Sequence, residues 1–192
     1  MTGARRGLVL ALLVPAVTLA RDARPATGQP AAGGPGRGQA AAPAGPPVPR
    51  LAVPASWQPQ PALVTAAQAA ADAEGGRRPR TVAAWGDPVL GCFATALALE
   101  LGAGDVPTVL PELQAALAAG ATVEGWTEDG GQVTAAFARP GWQGTLRALV
   151  TTRTSSRATV VACFYNDRAP TRCQAACGAL LASLPDGNLR NP

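Results

Sequence analysis

The chain has 192 residues, with 16 arginines against 12 carboxylates and neither lysine nor histidine. The missing imidazole excludes Ser-His-Asp triads, Cys-His nucleophiles and histidine-bound metal hydrolysis. The net charge of +4 is placed unevenly: up to Arg80 nine arginines face three acids, and from Thr81 onward seven face nine. The part able to fold is therefore slightly acidic, and nucleic acid, which needs a basic face with reading or stacking groups, is not an expected partner. Arginine as the sole basic residue, no isoleucine and an excess of Ala, Gly and Pro look like the codon bias of a GC-rich genome.

The chain opens MTGARRGLVLALLVPAVTLARDA. Arg5 and Arg6 precede an apolar run from Leu8 to Ala20 that closes on the small residues Thr18 and Ala20. A charged start, a short apolar stretch and an A-x-A-like end predict a secretory signal peptide over 1–20. The run is shorter than the roughly 20 residues of a spanning helix, and Pro15 interrupts it, so no stable membrane span is expected after cleavage. The paired arginines also fit a minimal twin-arginine leader, leaving the export route open. No cysteine stands near the cleavage point, which argues against a lipid anchor. The expected location is extracytoplasmic, in a periplasm or released.

Residues 21–61 are Pro, Gly, Ala and Gln with almost no branched apolar side chains. Such a segment buries too little surface to offset its chain entropy and reads as a disordered linker. Residues 62–80 follow as a marginal, Ala-rich helix that stops at Gly75-Gly76, and then a charged bridge of Arg77, Arg78 and Arg80. A single domain is expected over 81–192.

Within it, Leu90 to Leu101 alternates. Phe93, Thr95, Leu97, Leu99 and Leu101 fall on one side, Cys92, Ala94, Ala96, Ala98 and Glu100 on the other. Period two predicts a strand with a small-residue face on which a helix can sit closely, although the Ala and Leu content leaves a helix open. Pro107 opens a helix with Val106, Val109, Leu110, Leu113 and Leu117 at helical spacing, ended by Gly120. Strand candidates follow at 121–127, 132–139 and 145–154. A hairpin is expected at Glu128 to Gly131, and a break at Pro140-Gly141 and Gly144 around Trp142. Residues 158–166 have the most strand-like composition in the chain. Pro170 to Leu184 is an amphipathic helix with Cys173, Cys177, Leu180, Leu181 and Leu184 on one stripe. The expected class is α+β: an antiparallel sheet of about four strands, in the order β-α-β-β-β-α, packed against helices. No Gly-rich phosphate-binding motif is present.

Four cysteines, Cys92, Cys163, Cys173 and Cys177, admit several chemistries. Zinc is disfavoured because they are not paired as short knuckles and no histidine completes a set. Cys173-x-x-x-Cys177 is one residue too long for a thioredoxin-type site, and a catalytic thiolate would lack its base. In an exported chain the even count favours disulfides over buried thiols. If the last helix folds back over the last strand, Cys163 lies about 10 Å before the strand end and Cys177 about 10 Å into the helix. That sets Cys163 level with Cys177 and leaves Cys173 for Cys92.

For function, Asn166 to Pro170 is either a helix start capped by Asn166 or Asp167 with Arg168 solvated, or a small polar recognition loop around Asp167 and Arg168. Trp126 and Trp142 are candidate contact residues, because exposed Trp can stack on sugars or anchor a partner, although scarce aromatics are needed inside. Glu124, Glu128 and Asp129 are the carboxylates available for acid/base work, with the solvated turn as their plainer role. The favoured function is a non-enzymatic exported binding or accessory domain, meeting an unknown protein or envelope component, stapled by two disulfides and needing no cofactor or metal. The alternatives are a small hydrolase using carboxylates with Arg139 or Arg147, and a redox-responsive protein in which Cys173 and Cys177 exchange partners.

Overall fold

A computed structural model describes residues 50–73, 81–102, 104–152, 156–166 and 168–184. The expected signal peptide, the linker up to residue 49, the charged bridge and Asp167 lie outside the described residues. In chain order the elements are β1 (Gln58–Pro59), α1 (Pro61–Ala73), β2 (Thr81–Asp87), β3 (Cys92–Glu100), α2 (Val106–Gly120), β4 (Thr122–Asp129), β5 (Gln132–Arg139), β6 (Trp142–Thr151), β7 (Arg157–Asn166) and α3 (Pro170–Ala182).

The strands form one antiparallel sheet in the order β1-β2-β3-β7-β6-β5-β4. The class is α+β as expected, but among the described residues the sheet has seven strands, not about four: all five segments read as strands pair in it, and two more are added. Two strands lack a sequence pattern of their own: β1, which is two residues long, and β2, whose TVAAWGD scatters the strand formers Thr, Val and Trp among Ala, Gly and Asp. Each is held instead by its register, Gln58 opposite Gly86 and Thr81 opposite Ala98.

The pleat sorts side chains into two cores. On the first face Phe93, Leu97, Leu99, Val160, Phe164, Leu146 and Phe137 pack with Leu63 and Ala67 of α1 and with Val109, Leu110, Leu113 and Leu117 of α2. On the second face Cys92, Ala94, Ala96, Val161, Cys163 and Tyr165 pack with Cys173, Cys177, Leu180, Leu181 and Leu184 at and just beyond α3. Ala94 and Ala96 of β3 are fully buried in this core, the small-residue face of the strand turned inward. Trp57, only 6% exposed, joins the same core, with Leu51 and Val53 against it. Residues 51–61 therefore belong to the domain and not to the linker. A single large apolar side chain supplies burial that the flanking Pro and Gln cannot, and the backbone N–H of Ala52 donates to Ser183 Oγ (2.8 Å).

Two loops differ from the expected. The β4–β5 connection is only Gly130-Gly131, both at positive φ (55° and 82°), which is the backbone of a two-residue hairpin turn. Trp142 is not in a turn: β6 begins at it and runs through Gly144, so only Pro140-Gly141 separate β5 from β6. Gly144 does not break the strand. It makes room for Phe137, its cross-strand neighbour, whose ring lies where a side chain at 144 would project.

Candidate functional site

The second face is covered unevenly. Segment 51–57 shields β2 and β3, and α3 shields β7 and part of β6. On β4 and β5 the side chains facing this way, among them Thr122, Glu124, Thr127, Thr134 and Ala136, remain exposed. The step between α3 and this bare half-sheet is a groove of about 490 Å³, within the size range of small-ligand sites. Glu124, Ala136, Ala138, Gln143, Thr145 and Tyr165 line it from the sheet, and Gln174, Cys177, Gly178 and Leu181 from α3.

Three properties set this groove apart from an ordinary surface step. First, its helical wall is fixed to the sheet. Cys92 is bonded to Cys173 (Cα–Cα 5.5 Å) and Cys163 to Cys177 (5.6 Å). The two bridges lie one helical turn apart on α3. Beyond them, Arg147 Nη1 donates to the carbonyls of Leu181 (3.1 Å) and Leu184 (2.9 Å), and Nη2 to Gln132 Oε1 (3.0 Å). A guanidinium at the last carbonyls satisfies acceptors that a helix end leaves open and complements its dipole.

Second, Tyr165, only 5% exposed, is part of the groove lining. Its hydroxyl is not among the buried side-chain atoms left without a partner, and it can serve as donor or acceptor at the groove wall. Third, Gly178 occupies the interior of α3, where glycine costs about 0.5–1 kcal/mol relative to alanine. A Cβ there would meet nothing within 4 Å, so the fold itself does not require the glycine.

The residues singled out by sequence are dispersed. Trp142 packs on the first face, its ring centroid 6.1 Å from Phe93 and 6.0 Å from Phe164. It is thus largely an aromatic-cluster residue. Trp126 is half-buried against the same core, so neither Trp faces the groove. Arg168 is exposed, and its N–H bonds Asn166 Oδ1 (3.0 Å). Trp142 stands opposite Asn166 in register, so these two share one end of the sheet while Trp126 lies apart. The expected cap on α3 by Asn166 is not formed: Ala169 is the N-cap, with no side-chain cap bond. Pro170 at N1 lacks an N–H and so removes one of the donors a cap would serve.

The acids do not converge. Glu124 stands opposite Ala136 on the groove face, and Glu128 opposite Val133 on the other, with a register shift between Glu124 and Thr127. Arg147 is engaged at the end of α3. Arg139 follows Phe137 on the first face, and partial burial lowers its pKa by desolvation. Among the described residues no cluster of three or more His, Cys, Asp or Glu side chains could hold a metal ion, and no helix is long and apolar enough to cross a membrane. Two disulfides within one chain point to an oxidising, extracytoplasmic compartment.

The groove residues carry no sequence signal of their own. Gln143, Thr145, Tyr165, Gln174 and Gly178 come from β6, β7 and α3, and only the sheet order brings them to one place. The nearest hint is Gly178, a glycine inside an otherwise helical stripe. No protein-family model and no curated protein matches the chain.

Proposed function

We propose that the protein is an exported, non-enzymatic binding domain, carried on its N-terminal segment and stapled by two disulfides, with the groove between α3 and β4–β6 as its binding site. The observation that carries this reading is a groove of small-ligand size, with Tyr165 in its lining, whose helical wall is pinned to the sheet by two disulfides. Rigid walls reduce the ordering cost that association must otherwise overcome. The geometry of attachment agrees. Segment 50–52 meets Ser183 beyond the end of α3, so the linker joins at the far end of this helix from the loops at Pro88, Pro140 and Arg168.

Two experiments test it. Intact mass after alkylation, with and without reduction, of the full chain exported into an oxidising compartment should show a product beginning at Arg21 with all four cysteines protected. An uncleaved chain with four free thiols would overturn the compartment. Affinity capture from the matching envelope fraction should yield a species that wild type retains and Gly178→Trp, which fills the groove, loses. Equal retention by both would remove the groove from consideration.

One observation favours a second reading, a redox-responsive protein: Cys177, though 3% exposed, is a groove residue. That reading expects Cys163–Cys177 to open in the native protein under mild thiol reductant, and resistance of both bridges would count against it.

A further inference from the structure

We propose that the groove takes an extended peptide segment bearing one basic side chain, with Glu124 reading the charge and Gln143, Gln174 and the Tyr165 hydroxyl holding main-chain amides. This deepens the proposed function and rests on the groove being the binding site. The chemistry of the lining selects the ligand class. Among the described residues Glu124 is the only charged side chain in the lining, and no cation is part of it, so phosphorylated, sulfated or carboxylate-rich ligands find no counter-charge.

Sugars are recognised largely by stacking on exposed aromatic faces. The groove offers none: Trp126 and Trp142 pack on the opposite face of the sheet, and Tyr165 is only 5% exposed. What remains is a set suited to amides. Two exposed glutamines, one from β6 and one from α3, face each other across the groove, and each offers a carbonyl acceptor and two donors. Thr145 and the Tyr165 hydroxyl add further hydrogen-bonding groups, while Ala136, Ala138 and Gly178 leave the floor and wall low enough for a backbone to lie close.

The test uses the full chain, ¹⁵N-labelled and oxidised. The probes are two N-acetylated, C-amidated pentapeptides, Ala-Ala-Arg-Ala-Ala and Ala-Ala-Gln-Ala-Ala, and a neutral hexasaccharide, maltohexaose. The arginine peptide should shift the amide resonances of Gln143, Thr145, Gln174 and Gly178 in a saturable manner. The glutamine peptide should bind about two- to fivefold more weakly, the range for one exposed ion pair. Glu124→Gln, an exposed site whose replacement leaves the fold untouched, should abolish that difference. Tyr165→Phe keeps the ring buried and should weaken both peptides about two- to tenfold, the range for one neutral hydrogen bond. Equal binding of the two peptides, or a difference that persists in Glu124→Gln, would overturn the basic-peptide assignment. Groove shifts with maltohexaose and none with peptide would overturn it while keeping the groove as a binding site. Peptide-induced shifts confined to the Val89, Trp142 and Arg168 end would overturn both.

Discussion

Replacing Gly178 by alanine separates the needs of the fold from those of the groove. Gly178 is the ninth of thirteen residues in α3 and is exposed. A Cβ built on it meets no atom within 4 Å, so alanine adds neither a clash nor a packing contact. What changes is the backbone entropy of the unfolded chain and the helix propensity, which together favour alanine by about 0.5–1 kcal/mol. For a domain of this size that raises Tm by roughly 2–5 °C. Thermal unfolding followed by circular dichroism, under oxidising conditions so that the bridges stay closed, reads the shift directly. Gly178→Trp keeps the same propensity direction relative to glycine but projects an indole into the groove, so it should melt no lower than wild type while losing whatever the groove binds. A lower Tm for Gly178→Ala would mean that the helix needs the glycine, and the case for a functional reason would fall. A raised Tm with full binding in both variants would instead refute the groove as the site.

The two bridges should contribute unequally. Cys92–Cys173 spans 81 residues and Cys163–Cys177 spans 14, which in the chain-entropy account correspond to about 4.5 and 3 kcal/mol. Paired Cys→Ala variants compared by urea unfolding should show the larger loss for the longer loop, and the reverse order would show that local packing outweighs loop closure. Gly144→Ala should destabilise by about 1–3 kcal/mol through overpacking, because its Cβ would come within 2.6 Å of the Cys163 carbonyl and against the Phe137 ring. An unchanged urea midpoint would refute that. Arg147→Met removes the donors to Leu181, Leu184 and Gln132 and should cost about 1.5–3 kcal/mol. Hydrogen exchange should quicken first in the last turn of α3, and uniform protection along the helix would show that the bridges alone hold it.

Elements with a strong local period are legible in the sequence. The alternation in β3, the apolar stripe of α2 and the cysteine-bearing stripe of α3 each state which side is buried, because a strand repeats every two residues and a helix every 3.6. The hairpin at Gly130-Gly131 is legible for a similar reason, since few residues other than glycine tolerate positive φ twice in succession. The extent of the domain is not. Trp57 sits in a Pro- and Gln-rich stretch that reads as linker, and its burial depends on the second-face core, which exists only once strands and helix are assembled. β1 and β2 likewise lack a pattern of their own; β2 owes its conformation to the edge of β3, and β1 to the edge of β2.

The sequence by itself determined the α+β class, the absence of imidazole chemistry, and a helix whose cysteines, one turn apart, share a buried stripe. These are local properties or matters of residue inventory. Only the tertiary structure decided that α3 covers β7 and part of β6 while leaving β4 and β5 bare, and that Glu124 and Glu128 part to opposite faces. It also placed Trp142 in an aromatic cluster with Phe93 and Phe164. Each of these follows from strand order, pleat and the register shift in β4, long-range pairings that no single segment encodes.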